Sequence, residues 1–158
     1  MFGLANAIRR MSTITDKSQL KSALLVAMKT GDKTRASVIK AMLSEVTYAE
    51  KSNGSTGVSV VQIIQKGIQR RKESADAYLK GGRKDLMTVE QNEMQILQQF
   101  LPKQLSESEI ESLVREAQKR LGITDMKGIG LLMKEIDASV APRKSVSDVF
   151  KRILSTNQ

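Results

Sequence analysis

The sequence predicts an all-α protein, and three observations carry that prediction. No segment alternates apolar and polar residues for long enough to read as a half-buried strand, whereas apolar residues recur at spacings of three and four. The periodic stretches are punctuated by cap residues, glycines and the two prolines, Pro102 and Pro142. Aromatic residues make up only 3% of the chain and tryptophan is absent, so a core must be built from Leu, Ile, Val, Met and Ala, which suits interlocking helices.

The elements follow in order. Asp16, with Gln19 three residues on, caps a first helix whose inward positions are Leu20, Leu24, Ala27 and Met28, and Gly31 closes it. Asp32 caps a second helix with Ala36, Ile39, Met42, Leu43, Val46 and Ala49 on one face. Lys51 to Gly57, KSNGSTG, reads as a loop. A long helix is predicted from Ser59 to Lys80 through Val60, Ile63, Ile64, Ile68, Ala75 and Leu79, with Gly67 inside it and Gly81-Gly82 after it. The next carries Leu86, Val89, Leu97, Phe100 and Leu101 up to Pro102, which cannot continue the hydrogen-bond ladder. Ser106 and Glu109 form a capping box for a fifth helix, with Ile110, Leu113, Val114, Ala117 and Leu121 inward and Gly122 as its stop. Thr124 is expected to cap a sixth, running through Ile129, Leu132, Met133, Ile136 and Val140 to Pro142. Ser145 and Asp148 repeat the box before a last helix bearing Val149, Phe150, Ile153 and Leu154. Pro102 to Leu105 reads as a hinge. The expected division is a targeting segment over 1–15, an N-terminal helical domain of about four helices over 16–102, and a C-terminal three-helix domain over 103–158.

Composition excludes a good deal. Cysteine and histidine are both absent, which removes thiol nucleophiles, disulfides, imidazole and thiolate metal sites and every histidine-dependent triad. The formal charge of +9 biases the chain toward anionic partners such as RNA or a membrane surface. No apolar run approaches the roughly 20 residues that cross a bilayer, so no transmembrane segment is expected. The opening MFGLANAIRRMSTIT holds Arg9 and Arg10, no acid, and an apolar stripe of Leu4, Ile8 and Met11. That is the description of a mitochondrial transit peptide, and a matrix location is expected. Without residues 1–11 the charge of +9 falls only by the two arginines, so the basic character does not depend on the leader.

Several stretches together carry a family resemblance: RASVIK (Arg35 to Lys40), RRKESADAYLKGGRKDL (Arg70 to Leu86), NEMQILQQFLPKQL (Asn92 to Leu105) and SESEIESLV (Ser106 to Val114). From Lys17 to Leu154 the chain resembles the YqeY-like proteins, and with its leader it is most similar to the mitochondrial branch called "altered inheritance of mitochondria". The resemblance implies an all-helical fold whose C-terminal part is similar to the tail domain of the B subunit of the tRNA-dependent amidotransferase. It also implies a link to amide transfer from glutamine onto misacylated tRNA, where the tail domain grips tRNA and chemistry resides elsewhere. One departure stands out. Before the last helix the family has a turn of glycine, basic residue, alanine and acid, and this chain has Ala141-Pro142-Arg143-Lys144-Ser145.

The residues themselves predict no intrinsic catalysis and no cofactor. Gly81-Gly82-Arg83 is too short for a phosphate-binding loop, and no Ser-Ser-Lys amidase constellation is present. Asp85, Glu90 and Glu93 could form an acid–base pair only if buried, and their glutamine-rich surroundings predict a solvated face. The cationic signal is stronger. Lys66, Arg70 and Lys80 share a helix side, Arg71 and Lys72 lie between them, and Arg83 and Lys84 follow the Gly-Gly turn. Lys127, Arg143, Lys144, Lys151 and Arg152 form a second group, where the tail-domain resemblance would place RNA contact. With no aromatic platform nearby, either group would bind backbone phosphates and shape rather than stack bases. Arg71 with Asp76, or Arg83 with Asp85, could instead be structural pairs. The expected function is a non-catalytic accessory module for mitochondrial maintenance or inheritance, associated with tRNA, aminoacyl-tRNA or the tRNA-amidation machinery; the alternatives are an assembly factor with a protein partner in the matrix and a component of a carbon–nitrogen ligase using glutamine as amide donor.

Overall fold

The computed structural model describes residues 16–52, 57 and 59–156. The expected targeting segment over 1–15 lies outside the described residues, as do 53–56 of the expected loop. Lys51 and Ser52, assigned to that loop from sequence, instead complete a helix. Seven α-helices and one short 3-10 turn are present and no strand occurs among the described residues. The chain divides into two compact units, one ending at Pro102 and the other beginning at Lys103.

The first unit holds α1 (Lys17–Lys29), α2 (Lys33–Ser52), α3 (Val60–Lys80) and α4 (Lys84–Gln98). Asp16 caps α1 in a full capping box with Gln19, and Asp32 accepts from the Arg35 N–H at 2.9 Å to start α2. Ser59 caps α3 through the Gln62 N–H. Leu20, Ala27, Val38, Ile39, Met42, Val46, Val60, Ile64, Leu97 and Phe100 make the core. Gly67 belongs to its packing. A Cβ there would lie 3.1 Å from Met42 Sδ and 3.6 Å from Leu97 Cδ1, so glycine lets α3 approach both neighbours. Three apolar positions depart from expectation, and of these Met28 and Leu79 are 57% and 52% exposed. Val89 of α4 is exposed as well. These helices outrun the core they share, so the helical period continues where there is nothing left to pack against.

The second unit holds α5 (Glu107–Leu121), a 3-10 turn (Met126–Gly128), α6 (Ile129–Glu135) and α7 (Arg143–Thr156). The Ser106–Glu109 box is formed, and Gly122 closes α5 at φ +65°, a left-handed conformation that glycine adopts without steric cost. Phe150, fully buried, packs among Ile110, Val114, Leu132, Val146, Val149 and Ile153. Three expectations are corrected here. Asp125, not Thr124, is the cap: its carboxylate accepts from the Lys127 N–H at 2.9 Å and opens the 3-10 turn. The helix that follows stops at Glu135 rather than Pro142. The Asp137 carboxylate accepts from the Ser139 N–H at 2.8 Å and its carbonyl from Ala141 at 3.1 Å, folding 137–141 into a turn. Ser145 is likewise not a cap. The last helix begins at Arg143, straight after Pro142, so Ser145 lies inside its first turn.

Candidate functional site

The sequence-selected cations occupy two helical settings. In the first, α3 and α4 form an antiparallel hairpin closed by Gly81, Gly82 and Arg83. From Asp76 to Ile96 no side chain is buried, so the closed end of the hairpin is held by its own two helices. Lys66 and Lys80 are exposed on α3 fourteen positions apart, roughly 21 Å along the axis. They form a ridge rather than a cluster. Lys80, Arg83 and Lys84, in contrast, gather at the turn, all exposed.

The arginines on this ridge are engaged to different degrees. Arg70, 57% exposed, bonds Glu45 of α2 across the surface. Arg71 has a different job. Its Nε donates to Glu93 Oε2 at 2.8 Å with only 15% of the side chain exposed, tying α3 to α4. Its sequence-level partner, Asp76, is not used in this pair. Arg83 pairs with Asp85 through two bonds of 3.0 and 2.8 Å, as one of the sequence readings had it. That fork raises the guanidinium's pKa and lowers the Asp85 carboxyl below its ordinary 3.8. Lys66, Lys72, Lys80 and Lys84 form no ion pair with any described residue. Glu73 falls on the Lys66–Lys80 side by helical spacing, where it accepts from Gln69 at 2.7 Å, and it dilutes the positive field there.

The second group is dispersed. Met126, adjoining Lys127, shares an open cleft of about 610 Å³ with Ile123, Leu154 and Ser155, beside the last turn of α7. Arg143 sits at the first turn of the same helix, where its guanidinium donates to the Met133 carbonyl at 3.3 Å. A helix of 14 residues separates these two positions by roughly 20 Å. Lys144 and Lys151 are exposed. Arg152 is turned to architecture: it bonds Glu107 and also Glu111 (3.1 Å), joining α7 to α5. Those two carboxylates raise the Arg152 pKa, Glu107 foremost. Sequence reasoning missed this clamp, because its partners lie about 40 positions away.

Two of the three carboxylates considered for acid–base chemistry are committed elsewhere, Glu93 to Arg71 and Asp85 to Arg83. The shift at Asp85 runs opposite to what proton transfer near neutrality needs. Among the described residues no group of three or more acidic side chains is placed to hold a metal ion. Among the described residues no helix is long and apolar enough to cross a membrane.

The geometry therefore defines a class first: a wholly helical protein of two units, with cationic side chains on helix surfaces. The family model for YqeY-like proteins matches residues 17–156, and the chain belongs to that family. An uncharacterised protein of Schizosaccharomyces pombe is 34% identical over 108 residues, covering 67% of this chain and 84% of that one. A Pyrenophora tritici-repentis protein named altered inheritance of mitochondria protein 41, mitochondrial, is 28% identical over 156 residues, covering 92% and 85%. The Eremothecium gossypii protein of the same name is 32% identical over 87 residues, covering 53% of this chain and 48% of the relative.

Proposed function

We propose that this chain is a mitochondrial accessory module that holds tRNA, or tRNA bound to the amidation machinery, by its phosphates and performs no chemistry itself. The observation that carries the reading is the cationic end of the α3–α4 hairpin, where Lys80 and Lys84 flank Arg83 and all three are exposed. Lys66 and Arg70 extend it along α3, while Arg71 holds the two helices in register. In the second unit Lys127, Arg143 and Lys144 are separate, weaker contacts. The mitochondrial names of the relatives support the mitochondrial part of the reading, and the matrix location and the RNA link are part of the proposal.

Such binding is electrostatic, so tRNA retention should fall steeply with salt. Changing Lys66, Lys80 and Lys84 together to Ala should lower the slope of log affinity against log salt by about 2–3, roughly one per lost phosphate contact. Salt-insensitive or absent binding of tRNA would overturn the reading. A second reading, a protein-assembly factor in the matrix, is favoured by the exposed Leu79 and Val89 on the same hairpin. It predicts capture of one defined protein that survives nuclease treatment and is lost in Leu79→Ser, Val89→Ser.

A further inference from the structure

The outward face of α2 carries a cationic line that belongs to neither group of cations described above. Lys33, Lys40 and Lys51 are all exposed, while Ile39, Met42 and Val46 are buried on the other side of the helix. The lysines stand seven and eleven positions apart, about two and three turns, so they fall within roughly 20° of one another around the axis. None of them forms an ion pair with a described residue. The two acids of the helix flank this face and are engaged, Glu45 by Arg70 of α3 and Glu50 by Lys17 of α1. Each helix from α3 to α7 exposes at least one acid, so its solvated surface is mixed in sign; the exposed face of α2 is not. Ser37, Ala41 and Ser44, between the lysines, are small and leave the line open along the helix. Tyr48 is 75% exposed, the highest value among the exposed large hydrophobic residues, and it alone of these lies on α2. It stands one turn before Lys51, with about 5–6 Å between their Cβ atoms.

We propose that this face of α2 binds an unpaired nucleic-acid strand, with phosphates along Lys33, Lys40 and Lys51 and one base stacked on Tyr48. Charge complementarity and the ring together select this occupant. A strand whose phosphate meets Lys51 can lay the neighbouring base on Tyr48, and lysines with a stacking platform are the two parts that single-strand binding needs. A duplex keeps its bases inside the stack and would leave the ring unused. A protein partner would need several apolar anchors and a bilayer an apolar stripe, and α2 exposes one ring. A second copy of the chain would bring lysine against lysine. The proposal uses no residue of the α3–α4 hairpin and does not depend on the tRNA reading.

The test is fluorescence anisotropy of the full chain with labelled oligouridylate and oligothymidylate of about 12 nucleotides, across a range of salt. Wild type should bind a single strand; preference for oligouridylate identifies RNA as the source and preference for oligothymidylate DNA. Tyr48→Ala should weaken that binding about tenfold, and Tyr48→Phe, which keeps the ring, should retain it. Changing Lys33, Lys40 and Lys51 together to Ala should lower the slope of log affinity against log salt by about 2, roughly 0.7 for each lost phosphate contact. All four positions are exposed, so helix content and melting temperature should be unchanged. The Lys66, Lys80, Lys84 alanine variant should keep its affinity for the single strand, which separates failure here from failure of the tRNA reading. Wild-type affinity in Tyr48→Ala, or an equal loss on the oligouridylate–oligoadenylate duplex, would overturn the proposal, as would an unchanged salt slope in the triple alanine variant. Absence of binding to either strand would leave the lysines to an acidic protein partner or to solvent, and would overturn it too.

Discussion

The closed end of the α3–α4 hairpin and the second unit are built from similar helices with opposite economies of burial. In the second unit α5 and α7 each place three or more side chains fully inside, converging on Phe150. Along α4, by comparison, Leu97 at the far end is the only buried residue, and nothing from Asp76 to Ile96 is buried. Both regions are regular helix. The difference teaches that helix formation and core formation are separate problems, and that this chain spends part of its helical length on surface. A segment freed from packing can carry charge at no cost to the core, and that is where Lys80, Arg83 and Lys84 stand.

The comparison breaks most visibly at Phe150. Phe150→Ala should cost about 3–5 kcal/mol, enough to unfold a unit of this size, because the lost contacts leave a cavity at its centre. Chemical denaturation followed by circular dichroism should then show helix loss at low denaturant, with the signal of the first unit preserved. Coincident loss of all helix would mean that the units do not unfold separately.

Arg70 and Arg71 sharpen the contrast within two adjacent residues. Arg71→Ala should destabilise the first unit by about 1–2 kcal/mol, since Glu93 loses a charged partner in a half-buried setting. Arg70→Ala, whose pair with Glu45 is exposed, should change it by about 0.5 kcal/mol or less. Urea midpoints of the two variants would decide it, and equal midpoints would contradict the assignment of Arg71 to structure.

The smallest effect lies at the capping box of α5. Backbone and side-chain hydrogen bonds from Ser106 hold the Glu109 carboxyl below its ordinary 4.5. A carboxyl depressed in the folded state stabilises above its unfolded pKa, so the contribution is present at neutral pH and is lost as pH falls through and below 4.5. Ser106→Ala should cost about 1 kcal/mol at pH 7 and less at pH 3, measured by thermal melting of the second unit.

Much of the helical order was legible from local chemistry. Asp16 with Gln19 and Ser106 with Glu109 are boxes written in four residues, and both form as read. Gly122 ends α5 as its position suggested. The failures share a cause. Thr124 and Asp125 are adjacent capping residues, and sequence offers no way to choose between them. Ile136 and Val140 keep the helical period past the point where Asp137 turns the backbone, so periodicity extended α6 too far. For the candidate site the list of cations was legible and their arrangement was not. Lys127 and Arg143, grouped from sequence, stand at opposite ends of α7. Arg71 and Arg152, grouped from sequence with the phosphate-binding cations, are committed to Glu93 and to Glu107 with Glu111.

By itself the sequence determined the helical class, most helix starts and stops, the absence of thiol and imidazole chemistry, and the family. These depend on neighbours within a turn or two, or on composition, and need no knowledge of what packs where. Only the tertiary structure decided which arginines are fastened and which lysines are left on the surface. It also decided that Leu25, Val26 and Met28 face outward. Those outcomes depend on partners 20 to 45 positions away, brought close by helix packing, and on which side of each helix that packing covers.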